Sequence, residues 1–132
     1  MTETKTDTPS QHKKIERKRV PTDIIYHRRS RVLELRYGTH EPVTLGSEYL
    51  RVYSPSAEVQ GHGPGEATLQ LNKQDVNILG IEPQGSYAIR ITFDDGHNTG
   101  VYTWNYLWEL AEHVEQKWLD YLNRLSAAGY SR

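Results

Sequence analysis

One stretch decides the fold of this 132-residue chain: residues 94–107, which read DDGHNTGVYTWNYL. The segment before it, residues 87–93, alternates apolar and polar side chains with the period of a half-buried strand. Asp95 and Gly96 then favour a tight hairpin turn, because glycine adopts positive φ without steric cost. The chain returns as a second strand and begins its longest helical pattern at Trp104. This stretch therefore predicts a strand, a turn, a second strand and a helix in direct succession.

Three more segments carry the alternation of strands. Residues 23–27 and 31–37 are separated by a short polar loop, which predicts an antiparallel pair. Residues 76–82 form a further strand candidate, followed by a turn that leads into the strand at residue 87. The segment 45–53 is ambiguous, because Ser47 is a possible cap for a brief helix before Pro55.

The C-terminal pattern predicts one long helix from Trp104 to about Ser126, with Thr103 as its N-cap. Apolar residues recur on it at three- and four-residue spacing and form a continuous stripe: Leu107, Leu110, Ala111, Val114, Trp118, Tyr121, Leu122 and Leu125. A helix with such a stripe must bury it against another element. We therefore predict an α+β fold, with one antiparallel sheet of about five strands and the long helix packed on one face.

Composition limits the classes of function. The chain has no cysteine, which excludes disulfides and thiolate metal sites. No apolar run approaches the length of a membrane span and no N-terminal apolar segment resembles a signal peptide, so a cytoplasmic protein without a membrane partner is expected. Residues 1–20 have a balance of +3 and are predicted to form a disordered basic tail, whereas residues 21–132 form a single acidic domain. Nucleic acid is therefore expected to bind only weakly, through the tail.

Polar residues that could carry chemistry are few. His97 follows the predicted hairpin turn next to Asp95, and His62 lies in a glycine-rich loop. A small enzyme or ligand-binding protein would need these three side chains to form a polar cluster. Histidine at a turn and paired aspartates at a hairpin tip are also typical of simple turn structure. The sequence therefore assigns no catalytic residue, no metal and no cofactor.

Aromatic residues are concentrated at the predicted helix start. Trp104 and Trp108 lie one helical turn apart, with Tyr102 and Tyr106 beside them. These rings either pack in the core or form an exposed anchor for a partner, since Trp and Tyr dominate the energetics of many interfaces.

Several motifs, taken in order, resemble those of the gamma-butyrobetaine hydroxylase-like N-terminal domain family. They are residues 50–58 (LRVYSPSAE), 61–63 (GHG), 76–83 (VNILGIEP), 93–97 (FDDGH) and 102–107 (YTWNYL). The resemblance covers about residues 21–125. Members of that family occur as small bacterial proteins of unknown function, as a domain before an iron/2-oxoglutarate oxygenase, or joined to iron–sulfur cluster carrier ATPases.

The resemblance also implies a set of metal-ligand positions. Zinc-binding members hold the metal with three cysteines of a Cys-Pro-Cys-x-x-Cys loop and a later histidine. These positions are similar to Ser54, Ser56, Val59 and His97 in this chain. Three of the four are not zinc ligands, so a degenerate site without metal is expected. Because zinc-binding members tie these two segments together, the resemblance also implies that His97 and the loop of residues 54–63 converge near Trp104, whose ring we expect to remain partly exposed.

Together these patterns predict a non-catalytic protein-interaction or dimerisation module that has lost the zinc site of its relatives. The resemblance implies an oxygenase or an iron–sulfur assembly factor as a possible partner. The candidate residues for binding a ligand or partner are Arg51, Tyr53, His62, Asp95, His97, Trp104 and Tyr106. The alternative is the small enzyme or ligand-binding protein that uses His97, Asp95 and His62.

Overall fold

The computed structural model describes residues 19–61 and 67–132. Six strands and four helices follow one another within these ranges. They are β1 (Asp23–His27), β2 (Val32–Arg36), β3 (Val43–Gly46), α1 (Ser47–Val52), α2 (Ala57–Gln60), β4 (Ile78–Gln84), β5 (Ala88–Phe93), β6 (Gly100–Thr103), α3 (Trp104–Glu112) and α4 (Val114–Ala127). The fold is α+β, as the sequence predicts.

The strands form two sheets and not the single sheet of about five strands that the sequence predicted. β1, β2 and β3 make one antiparallel meander, and β4, β5 and β6 make a second one. The prediction was wrong because the segment around Leu45 divides between two elements: its first part pairs with β2 as β3, with Leu45 opposite Leu33, and its second part is α1. The N-terminal half therefore completes a sheet of its own before the chain reaches β4.

The Tyr26 side chain connects the two sheets, which share no strand ladder among the described residues. The Tyr26 hydroxyl on β1 lies 3.1 Å from the Ser47 hydroxyl and accepts a hydrogen bond of 3.1 Å from the backbone N–H of Ile78 at the start of β4. A phenol oxygen thus occupies the place that a neighbouring strand's carbonyl would take. This contact joins the sheets at their edges without merging them.

The predicted long helix is two helices, and this is a second correction. α3 ends at Glu112 and α4 begins at Val114, with His113 between them at φ −121° and ψ 31°. The first half of the apolar stripe packs in the main core, and the second half packs in a smaller cluster. A bend between α3 and α4 therefore allows both halves to be buried. The predicted N-cap is confirmed, since Thr103 Oγ1 accepts the N–H of Tyr106 at 3.1 Å. None of the described helices is long and apolar enough to cross a bilayer.

The main core lies between the two sheets and α3. Its largest fully buried side chains include Leu33 and Leu35 from β2, Phe93 from β5, and Leu107 and Leu110 from α3. A smaller cluster joins α4 to the rest of the protein through three buried residues: Val52, Tyr121 and Leu125. These two clusters fix α1 and the residue after it, Tyr53, against β5, β6, α3 and α4.

Candidate functional site

The β5–β6 turn places His97 inside the protein. The backbone N–H of Phe93 donates to the His97 carbonyl at 2.9 Å, and Gly96 has φ +94°. This positive φ suits glycine because it has no Cβ to clash. The turn therefore directs the His97 side chain inward, where only 7% of the residue is exposed.

His97 contacts two serines from the loop after α1. Its Nε2 atom lies 2.8 Å from Ser54 Oγ and 3.3 Å from Ser56 Oγ. Ser54 is fully buried and Ser56 is nearly so. We call these three residues the His97 cluster. The structure thus brings together the two segments whose proximity the family resemblance implied.

The other nitrogen of His97 faces the protein surface. Its Nδ1 atom lies 3.2 Å from a carboxylate oxygen of Glu58, which also accepts a hydrogen bond of 3.0 Å from the hydroxyl of Thr99. Glu58 belongs to α2 and its side chain is 66% exposed. Both nitrogens of the imidazole are therefore occupied by polar groups of the protein itself.

A charged group flanks the His97 cluster. Asp95 Oδ2 lies 2.8 Å from Arg51 Nε and 2.7 Å from Lys73 Nζ, while Asp95 Oδ1 accepts the N–H of His97 at 3.2 Å. Burial alone would raise the pKa of Asp95, but the hydrogen bonds from Lys73, the His97 N–H and Arg51 lower it to about 2. Asp95 is therefore ionised at neutral pH and holds two cations beside the turn.

His97 itself is held neutral. Burial lowers its pKa, and the nearby positive charge of Arg51 lowers it further, against the opposing effects of Glu58 and Asp95. A neutral imidazole has one donor and one acceptor nitrogen, which matches a hydroxyl on one side and a carboxylate on the other. The arrangement ties two loops together and presents no free base.

The residues at the implied metal-ligand positions do not fit zinc. Ser54, Ser56 and His97 offer two neutral hydroxyls and one imidazole nitrogen, and Val59, which is buried, offers no donor. Structural zinc requires thiolate, imidazole or carboxylate ligands, most often four of them. Among residues 19–61 and 67–132, no three His, Cys, Asp or Glu side chains are placed to hold a metal ion.

The backbone of β6 at Gly100 approaches the Ser54 side chain of the His97 cluster closely. A Cβ on Gly100 would lie 2.5 Å from Ser54 Oγ and 3.1 Å from the Tyr102 ring. Tyr102 is fully buried and donates its hydroxyl to the Leu50 carbonyl at 2.6 Å. Glycine at position 100 therefore lets the loop that carries Ser54 and Ser56 (residues 53–56, here called the serine loop) pack directly against β6.

Two other predicted binding residues connect elements of the fold. Tyr53 donates its hydroxyl to the Lys117 carbonyl at 2.6 Å, and Tyr106 donates its hydroxyl to the Tyr53 carbonyl at 2.5 Å. Both phenols thus join the loop after α1 to helices α3 and α4. Their hydrogen bonds are internal, so only the exposed parts of their rings remain to meet a partner.

Trp104 lies at the other end of β5 and β6 from the His97 cluster. Its Nε1 donates to the Ser86 carbonyl at 2.8 Å, and its ring is half-buried. Because β6 pairs antiparallel with β5, Thr103 is opposite Ala88 while Gly100 is opposite Ile91. At about 3.3 Å per residue, the strand separates Trp104 from the turn that holds His97. The expectation that these two residues converge is therefore wrong, although the expectation of a partly exposed ring is met.

The remaining sequence predictions fall outside the described ranges or were incomplete. His62 lies outside the described residues, as does most of the predicted basic tail. Arg19, which the prediction assigned to that tail, is described, and its guanidinium lies 4.5 Å from the centre of the Trp108 ring.

Sequence reasoning missed the parts played by Lys73, Glu58 and Gly100, because each depends on a contact more than 20 positions away along the chain.

Comparisons with known proteins agree with this architecture. The family described as gamma-butyrobetaine hydroxylase-like, N-terminal, matches residues 24–108. Two structures solved by NMR in solution are 50% and 44% identical, with TM-scores of 0.74 and 0.73; they cover 86% and 100% of this chain, and 89% and 90% of their own. A crystal structure from Acidithiobacillus ferrooxidans, of a protein of unknown function in the DUF971 family, is 34% identical with a TM-score of 0.58, covering 71% of this chain and 94% of its own. No curated protein matches the chain.

Proposed function

This chain belongs to the gamma-butyrobetaine hydroxylase-like N-terminal family, and from that membership we propose that it is a non-catalytic protein-interaction or dimerisation module that has lost the zinc site of its relatives. Its partner is a second copy of the chain, or an oxygenase or iron–sulfur assembly factor of the kinds found with related domains. The proposal rests on how the polar residues are used and on where the aromatic residues are exposed.

The polar groups support a role without catalysis. The His97 imidazole is buried between Ser54 and Glu58, and the Asp95 carboxylate is engaged by two cations. A general base must reach a substrate proton within hydrogen-bond distance. Of the three groups in the enzymatic alternative, His97 and Asp95 lie within the described residues, and contacts within the protein engage both of them.

The observation that carries the interaction proposal is an aromatic corner at the β4–β5 turn, formed by Tyr87 and Trp104. Tyr87 is 58% exposed, and the backbone N–H of Trp104 donates to its carbonyl at 3.2 Å. The Trp104 indole N–H is already satisfied by Ser86. A partner can therefore cover the Trp104 ring without leaving its indole N–H unpaired, and the Tyr87 hydroxyl is left to form a hydrogen bond with the partner.

Replacing Tyr87 with Ala tests the proposal with little effect on the fold, because most of this side chain is in water. We expect self-association, measured by analytical ultracentrifugation, or binding of a partner, captured from extract and then purified, to weaken at least tenfold. Trp104→Ala should weaken it more, with some loss of stability because the ring is half-buried.

Leu119→Ala provides the matched control, since Leu119 is a 59% exposed apolar residue on α4. It should leave association unchanged. If Tyr87→Ala and Leu119→Ala associate as strongly as the unmodified protein, the aromatic corner is not the interface.

A further inference from the structure

A separate cavity of about 690 Å³ lies where the N-terminal segment, the end of β2 and α3 meet. Its lining includes Arg19, Val20, Tyr37, Thr39, His40 and Trp108. The volume is within the range of small-molecule pockets, roughly 300–1,000 Å³. No carboxylate is among the described residues that line it.

Two buried polar atoms in this wall have no hydrogen-bond partner among the described residues: Tyr37 Oη and Trp108 Nε1. The two rings meet edge to face, with centroids 5.0 Å apart, and Tyr37 is only 7% exposed. Buried polar groups in folded proteins are nearly always paired, so two unpaired ones on neighbouring rings require an explanation.

The other tyrosines show how unusual Tyr37 is in this fold. Each of the five other buried or half-buried tyrosines on the helices, the serine loop and β6 donates its hydroxyl to a backbone carbonyl: Tyr49, Tyr53, Tyr102, Tyr106 and Tyr121. The fold thus supplies an acceptor wherever a phenol is needed only for structure. At Tyr37 no residue of the described chain supplies one.

The chemistry of the wall selects a class of ligand. The Trp108 indole N–H can only donate, so it needs an acceptor. Burial raises the pKa of Tyr37 to about 12, so its hydroxyl carries a proton at neutral pH and can also donate. The Arg19 guanidinium, 4.5 Å from the centre of the Trp108 ring, adds positive charge. Glu109 and Glu112 lie with Arg19 around a neighbouring cavity and do not line this one.

We propose that this cavity binds a small organic carboxylate. One carboxylate accepts hydrogen bonds from Tyr37 Oη and Trp108 Nε1 and pairs with Arg19, while the apolar body of the ligand packs against Val20 and the two rings. Both donor atoms are shielded from solvent in the unliganded chain. The Arg19 side chain, which covers the Trp108 ring, therefore moves with the incoming carboxylate. This site is distinct from the proposed interaction surface and does not depend on it.

The test uses full-length, ¹⁵N-labelled protein titrated with phenylacetate and, separately, with the neutral phenylacetamide. We expect phenylacetate to shift the indole N–H resonance of Trp108 downfield in a saturable way, because an unpaired donor acquires a charged acceptor. The indole resonances of Trp104 and Trp118 should move little. Phenylacetamide should bind at least tenfold more weakly, because it lacks the charge that pairs with Arg19.

Two variants separate binding from folding. Tyr37→Phe and Arg19→Gln should each weaken phenylacetate binding at least tenfold, whereas the exposed-site controls Tyr130→Phe and Arg28→Gln should not. Tyr37→Phe should melt at the same or a higher temperature than the unmodified protein, because it removes an unpaired buried hydroxyl. In contrast, Tyr102→Phe should melt lower, since that hydroxyl is bonded to Leu50.

Three results would overturn the proposal. The first is the absence of a saturable Trp108 shift at millimolar phenylacetate. The second is equal binding by the unmodified protein and by both cavity variants. The third is a set of nuclear Overhauser contacts between the Trp108 indole and residues 1–18, which would assign the acceptor to the chain's own N-terminal segment.

Discussion

The hydroxyl oxygen of Ser54 lies 2.8 Å from Nε2 of His97, although the two residues are 43 positions apart in the chain. Both side chains are buried. The contact ties the loop after α1 to the β5–β6 turn through a hydrogen bond between neutral groups, and its contribution to stability can be measured.

Replacing His97 with Ala should lower the free energy of unfolding by about 2–3 kcal/mol, because it leaves a void and removes one hydrogen-bond partner from the buried hydroxyls of Ser54 and Ser56. Urea unfolding provides the measurement. Asn98→Ala, at an exposed position of the same turn, is the control and should change stability by less than about 0.5 kcal/mol. Equal effects of the two substitutions would show that the His97 cluster does not support the fold.

The same histidine should make stability depend on pH. The pKa of His97 is lowered in the folded protein, mainly by burial and then by Arg51. Below the unfolded value of about 6.5, the unfolded chain binds a proton that the folded chain does not. The free energy of unfolding should therefore decrease as the pH falls from about 7 through the folded pKa.

Comparison with His97→Gln isolates this effect, because glutamine does not titrate. The stability advantage of the unmodified protein over His97→Gln should shrink between pH 7.5 and pH 5.5 in urea titrations. Asp95 does not contribute in that window, since its pKa is about 2 in the folded protein and its stabilising effect is lost only below about pH 4. A difference that stays constant with pH would contradict the prediction.

Gly100→Ala should destabilise the protein by about 1–3 kcal/mol through overpacking. The added Cβ would lie 2.5 Å from Ser54 Oγ and 3.1 Å from the Tyr102 ring, so the serine loop must move away from β6. Thermal and urea unfolding measure the loss in the free energy of unfolding. Gly80→Ala on β4 is the matched control, because its nearest neighbour would be Thr92 Cβ at 4.0 Å. If both substitutions change the free energy of unfolding equally, the close approach at Gly100 does not restrict the residue at that position.

Local patterns predicted the elements more reliably than their assembly. The alternation in residues 23–27 predicted β1, the hairpin signal at Asp95 and Gly96 predicted the β5–β6 turn, and Thr103 was recognised as an N-cap. Each of these features depends on neighbours within a few positions. The family resemblance, in turn, pointed to the proximity of His97 and Ser54, which no periodicity could show.

The sequence by itself determined the α+β class, the order of most elements and the absence of a thiolate site, because these follow from local spacing and residue type. Only the tertiary structure decided the division into two sheets, the break at His113 and the separation of Trp104 from His97. The unpaired donors of Tyr37 and Trp108 also became visible only there. The physical reason is that each of these features depends on which distant side chains share a limited volume, and on whether a polar atom finds a partner within it.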